Sequence, residues 1–146
     1  MRSPIEDALV QARRAAGRGE VPVGAVLVRG HEIIAADGNR VEELHDPTAH
    51  AEILVLRHAA ARLRTPRLTD CDLWVTLEPC PMCTQAISFA RIRRLYFGAS
   101  DPKGGGVESG PRLFTQPTCH HRPEVVAGIR EHEAAELLRS FFQARR

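Results

Sequence analysis

The stretch Leu77-Glu78-Pro79-Cys80-Pro81-Met82-Cys83, read together with His50-Ala51-Glu52, constrains this chain more than any other. Two cysteines stand three positions apart behind a proline. A histidine and a glutamate lie about one element upstream. Three borderline or soft ligands plus a free carboxylate suggest a catalytic zinc, with three protein ligands, an open fourth position for water and an acid/base beside it. Two other readings of the cysteines stand beside this one. Cys71 or Cys119 could close a structural zinc site as fourth ligand, or Cys80 and Cys83 could form a redox pair, although redox CxxC motifs need no distant His-x-Glu.

Cys80 and Cys83 follow a strand read from Asp72 to Leu77, and open a helix read from Pro81 to Arg91. A spacing of three puts both sulfurs on one side of the first turn. The partial positive charge of a helix N-terminus favours thiolates there. Asp46-Pro47 predicts the start of the preceding helix, with Asp46 as cap and His50 in the first turns. On an ideal helix Glu52 would point away from His50, so the metal must sit near the helix start with Glu52 reaching in from the flank.

The rest of the chain supplies a frame. Ser3-Pro4 with Glu6 and Asp7 predicts a helix start with a hydroxyl cap, and Gly17 and Gly19 stop that helix. Val21 to Val28 and Ile33 to Ala36 predict a strand pair around the turn Arg29-Gly30-His31-Glu32, closing into a loop at Asp37-Gly38-Asn39. Arg94 to Gly98 is a fourth strand, Asp101 to Gly110 a glycine-rich loop, Val125 to Ala127 a short fifth strand and Glu131 to Ala144 a final helix. That last helix carries Ala134, Leu137, Leu138, Phe141 and Phe142 on its apolar side. The alternation predicts an α/β fold with one mixed sheet covered by helices on both faces, in a single domain over 1–146.

Bulk properties exclude some classes. No apolar run is long enough to span a membrane. The N-terminus has no apolar core of a secretory signal, which with the Cys80–Cys83 spacing predicts reduced thiols and a cytoplasmic location. The net charge of +2 permits nucleic-acid binding without arguing for it. Of the twenty basic residues only Lys103 is lysine; arginine suits bidentate phosphate contacts, and a codon bias would give the same pattern.

With His-x-Glu and Pro-Cys-x-x-Cys in place, the chain resembles the cytidine-deaminase superfamily and, within it, the bacterial tRNA-specific adenosine deaminases. Matching stretches run nearly throughout: Glu20 to Val26, Gly38-Asn39-Arg40, His45 to Glu52, Thr76 to Cys83, Arg91-Ile92, Phe97-Gly98-Ala99, His121-Arg122, and Leu137-Leu138 with Phe141-Phe142 and Arg145-Arg146. The octet His45 to Glu52 and the terminal Phe-Phe-x-x-Arg-Arg point to the tRNA branch. The resemblance implies a three-layer α/β/α sandwich around a mixed five-stranded sheet, and a homodimer. It also implies one Zn2+ per subunit on His50, Cys80 and Cys83, and hydrolysis of wobble adenosine to inosine in a tRNA anticodon stem-loop. Glu52 is then the proton shuttle.

Further roles are implied by the same resemblance. Asn39 matches an asparagine that touches the nucleoside, though after Gly38 it also suits a turn. Asp101 matches an aspartate near the ribose, and would otherwise be an exposed loop acid. Glu20, Val21 and Pro22 match the pocket wall beside the base, though Val21 also suits a core. Lys103, His121, Arg122, Arg145 and Arg146 are candidate RNA contacts, or solvated surface. His31, His45, His58 and His132 are surface or structural. Two features depart from the family pattern: the loop Lys103 to Gly110, and Cys119-His120-His121, which adds potential metal ligands. A deaminase of free guanine or cytosine is the alternative enzyme, and a zinc-stabilised RNA-binding module without catalysis is the alternative class.

Overall fold

The computed structural model describes residues 2–145. Helix α1 (Pro4–Gly17) leads into the hairpin β1 (Gly24–Arg29) and β2 (Glu32–Gly38). A short α2 (Val41–Leu44) and then α3 (Ala51–Leu63) follow, before β3 (Cys71–Leu77), α4 (Pro81–Phe89) and β4 (Arg94–Ala99). A 3-10 turn (Leu113–Thr115), β5 (Glu124–Val126) and α5 (Glu131–Gln143) complete the order. The five strands form one sheet in the order β2-β1-β3-β4-β5. β1 is antiparallel to both β2 and β3, while β3, β4 and β5 run parallel. The expected mixed five-stranded α/β/α sandwich is therefore what the chain forms.

The period-2 alternation of β1 sends its side chains to opposite layers. Ala25 and Leu27 join Leu73, Val75, Leu95 and Phe97 beneath α3 and α4, where Val55, Ala59 and Ile87 pack. Val26 and Val28 face Ile5, Ala8 and Leu9 of α1, with Ala134 of α5 alongside. Gly24 lets α1 lie against the strand: a Cβ there would stand 2.0 Å from the Ala8 carbonyl oxygen. Trp74 of β3 and Tyr96 of β4 are register partners, stacked with ring centroids 3.8 Å apart. Among the described residues no helix is long and apolar enough to cross a membrane.

Several boundaries differ from those read in the sequence, each for a local reason. α3 does not open at Asp46-Pro47. Asp46 Oδ1 instead accepts from the N–H and hydroxyl of Thr48, at 2.8 and 2.7 Å, closing a turn on itself. The helix starts five residues after Asp46, with His50 extended at its N-cap. β1 starts at Gly24, because Val23 N–H turns back to the Val21 carbonyl at 2.8 Å and Pro22 has no N–H to give. Ser3 sits at the N-cap of α1 without a side-chain cap bond. α4 stops at Phe89, and Arg91 takes a left-handed φ of 62°. β5 is shifted to Glu124–Val126 by its register with Arg94, Leu95 and Tyr96. α5 ends one residue earlier than expected, and Phe142 is exposed rather than on its buried side.

Candidate active site

The sheet delivers the site at one edge of its strands. β3 ends at Leu77, and Glu78-Pro79 carries the chain to Cys80, which is the N-cap of α4. β2 ends at Gly38, beside Asn39, and β4 leads to Asp101. Carboxyl ends of strands in an open α/β sheet are where ligands bind.

His50 stands at the N-cap of α3, not within it, with φ −73° and ψ 151°. The extended backbone at this position frees the imidazole from helical geometry. That resolves the expected conflict with Glu52, which lies in the first turn. His50 Nδ1 lies 3.6 Å from Cys80 Sγ and 3.5 Å from Cys83 Sγ. All three ligand atoms lie within 4.8 Å of one another. Ligand atoms on a tetrahedral zinc, with Zn–S near 2.3 Å and Zn–N near 2.1 Å, stand about 3.6 Å apart. The donor chemistry and the spacing both fit zinc with one position left open.

The readings with Cys71 or Cys119 as a fourth zinc ligand lose their geometry. Cys71 lies at the opposite end of β3, roughly 20 Å away at the rise of a strand, and burial pushes its thiol up to about 12. Cys119 Sγ donates to the His121 carbonyl at 3.2 Å and lies 3.5 Å from Ser88 Oγ. Neither can complete a closed zinc site, and all four cysteines are free thiols. The extra potential ligands at Cys119-His120-His121 form no metal-binding group among the described residues.

The electrostatics separate the two thiols. A hydrogen bond from the Cys83 thiol, aided by His50, holds Cys80 down to about 4, against the opposing effect of burial. Cys83, which gives that hydrogen bond and is buried, is pushed up. His50 is raised, chiefly by its hydrogen bond with Cys80. Glu52 is 4% exposed, and burial pushes its carboxyl up to about 7.

These groups face a cavity of about 490 Å³, a size suited to a small ligand. His50, Glu52 and Cys80 form its floor. Glu20, Val21, Val23, Asn39, Val41, Glu42, Leu77, Glu78, Asp101, Gly104, Phe141 and Arg145 contribute to its walls. Of the expected substrate residues, Asn39, Asp101, Glu20 and Val21 line it; Pro22 is buried behind the wall. Glu20 has a structural task as well: its two carboxylate oxygens accept from the Glu42 and Glu43 N–H groups at 3.1 and 2.8 Å. It thereby holds α2 over the cavity. Asn39 Oδ1 accepts from the Ala51 N–H at 2.8 Å, satisfying the start of α3.

The expected RNA contacts disperse. Arg145 reaches the cavity with its guanidinium carbon 3.5 Å from the Phe141 ring centroid, and donates to the Phe141 carbonyl at 3.1 Å. Lys103 is exposed on the loop beside Asp101. His121 Nε2 is engaged by the Ile92 carbonyl at 2.6 Å, and Arg122 donates to the Gln116 carbonyl at 3.3 Å. Arg146 lies outside the described residues. His31, His45, His58 and His132 are all exposed, away from the cavity.

Sequence reasoning missed Glu78, whose place inside the cysteine motif was the available signal. Burial pushes its carboxyl up, but hydrogen bonds from the Asp101, Glu108 and Ser109 backbone and the Ser109 hydroxyl outweigh this and hold it below the ordinary carboxylate range. Phe141 was expected only as core, and α2 was not expected at all.

Residues 2–99 match the cytidine and deoxycytidylate deaminase zinc-binding region. The tRNA-specific adenosine deaminase of Agrobacterium fabrum is 62% identical over 142 residues, covering 97% of this chain and 93% of that one. A solved structure from work on A-to-I editing by tRNA:A34 deaminases at the wobble position of transfer RNA superposes with a TM-score of 0.91 at 62% identity. That match covers 92% of this chain and 98% of the other. A guanine deaminase from Nitrosomonas europaea superposes with a TM-score of 0.77 at 26% identity, covering 94% of this chain and 82% of that one.

Proposed function

This chain belongs to the cytidine and deoxycytidylate deaminase family, and we propose that it hydrolyses adenosine to inosine at the wobble position of tRNA anticodons. It is then a hydrolase acting on the C–N bond of a cyclic amidine, releasing ammonia. One observation carries the reading: a buried free carboxylate, Glu52, shares a cavity with a three-ligand metal site. A non-catalytic zinc module has no use for that carboxylate. The near-full-length likeness to tRNA-specific adenosine deaminases supports adenosine in tRNA as the amine removed.

His50, Cys80 and Cys83 would hold the zinc, which would supply the Lewis acidity that lets a water attack C6 of adenine near neutral pH. Glu52 accepts the proton that this water gives up. It passes that proton to ring nitrogen N1, then carries the second proton of the added water from the C6 hydroxyl to the amine, which leaves as ammonia as the C6 carbonyl forms. Glu52 must stay off the metal to do so. Asn39, whose Oδ1 is taken by Ala51, offers its amide nitrogen to the nucleoside. Asp101 faces the ribose, and Glu20, Val21 and Pro22 form or back the wall beside the base. An anticodon loop makes extrusion of the base inexpensive, because the base is already unpaired.

Arg145 at the cavity, with Lys103 and Arg122 exposed elsewhere on the surface, supplies cations for the RNA backbone. His121 is a further proposed RNA contact, and Arg146 is proposed as one from its sequence position alone. The whole chain, 1–146, acts as one deaminase domain in the cytoplasm. A homodimer is supported by the apolar groove between α3 and α4, lined by Ile53, Leu56, Ala60, Ala86 and Phe89. Phe89 is 70% exposed there, which is costly for a lone subunit.

The test is incubation of the zinc-loaded protein with an anticodon stem-loop carrying wobble adenosine, beside free adenosine, cytidine and guanine. Inosine in the RNA alone is expected. Turnover of a free base or nucleoside alone would overturn the tRNA assignment.

A further inference from the structure

The Glu78 carboxylate neither binds metal nor lies where a proton must move, yet the residue is only 2% exposed. All five hydrogen bonds it accepts come from the loop after β4. Oε1 accepts from the Asp101 N–H at 2.9 Å and the Ser109 hydroxyl at 3.0 Å. Oε2 accepts from the N–H groups of Val107, Glu108 and Ser109 at 3.1, 2.9 and 3.0 Å. An ionised carboxylate is acceptor-only, and bonds to it are about twice as strong as neutral ones. The loop is shaped around this anion. A Cβ on Gly105 would stand 2.5 Å from the Glu78 carboxylate. Gly106 N–H donates to the Pro79 carbonyl at 2.8 Å, tying the same loop to the residue before Cys80.

We propose that Glu78 is a positioning residue for the substrate: by gathering the 101–109 loop onto the metal-binding turn, it sets the cavity wall made by Asp101 and Gly104. The inference rests on the deaminase reading above. Only Pro79 separates Glu78 from Cys80, so wall and metal turn move as one body. Glutamine would keep the size and shape of the side chain but present an NH₂ group to N–H donors. The loop would then lose its hold, while His50, Cys80 and Cys83 keep theirs.

The test uses the zinc-loaded full chain and two variants, Glu78→Gln and Ser109→Ala. In Glu78→Gln, KM for the anticodon stem-loop is expected to rise about tenfold, with kcat changed less than about threefold, since seating and not chemistry is impaired. Zinc should remain at one per chain, and hydrogen exchange of amides 101–109 should accelerate while that of the sheet does not. Ser109→Ala, which removes one donor and keeps the anion, should shift KM and exchange the same way by less. Unchanged KM and unchanged exchange in Glu78→Gln would overturn the proposal, as would a loss confined to kcat with zinc missing. If Glu78→Gln does not fold, an unchanged KM in Ser109→Ala overturns it. If the parent protein edits no stem-loop, the activity reading fails, while the exchange comparison still judges the hold of Glu78 on the loop.

Discussion

At the scale of single residues, the proposed chemistry rests on four side chains whose tasks separate by substitution. Glu52→Ala is expected to keep the fold and one zinc per chain, while inosine formation falls by about 10²–10⁴-fold, the usual worth of a positioned acid/base. Zinc content and rate measured on the same preparation check this; loss of zinc would make Glu52 a ligand. Cys83→Ala is expected to lose both the zinc and the activity, because two protein ligands remain of three. The ligands were legible in the sequence because the motif is short and each half is local. The role of Glu78 was not, because its five donors come from residues 23 to 31 positions later. Nor was the backbone of His50: Asp46 bonding to Thr48 removes the cap that the sequence suggested, and only that displacement puts the imidazole outside the helix.

At the scale of elements, close contact between α1 and β1 is the most sensitive joint. Gly24→Ala would place a methyl group 2.0 Å from the Ala8 carbonyl and 2.5 Å from the Ala12 nitrogen. Both atoms are backbone, so no rotamer change relieves the clash. A loss of at least about 2 kcal/mol, within the range for overpacking, is expected in denaturant unfolding. All five strands and four of the helices were legible in sequence, since their apolar periods are long enough to read. α2 was not, because four residues carry no period and the carboxylate that holds them, Glu20, lies 22 positions upstream of Glu42. The turn Leu113–Thr115 escaped for the same reason: Leu113 N–H is held by the Gly106 carbonyl, a contact made only in the folded loop.

At the scale of the whole molecule, two expectations concern what the folded chain binds. Removal of zinc by a chelator is expected to abolish turnover and lower the melting temperature, since a metal that binds only the folded chain stabilises it; readdition of zinc should restore both. Phe89→Glu is expected to convert a dimer to a monomer in light scattering without loss of zinc, because it puts a charge in the centre of the apolar groove. A parent protein that is monomeric at micromolar concentration would refute the dimer. The stacked Trp74–Tyr96 pair has a practical consequence for all these measurements. The chain has one tryptophan and one tyrosine, and both sit on neighbouring central strands, outside the cavity lining. Intrinsic fluorescence is therefore a private reporter of sheet integrity. Its emission should stay constant as zinc or RNA is titrated in and shift only when the strands part, so unfolding can be separated optically from an empty active site.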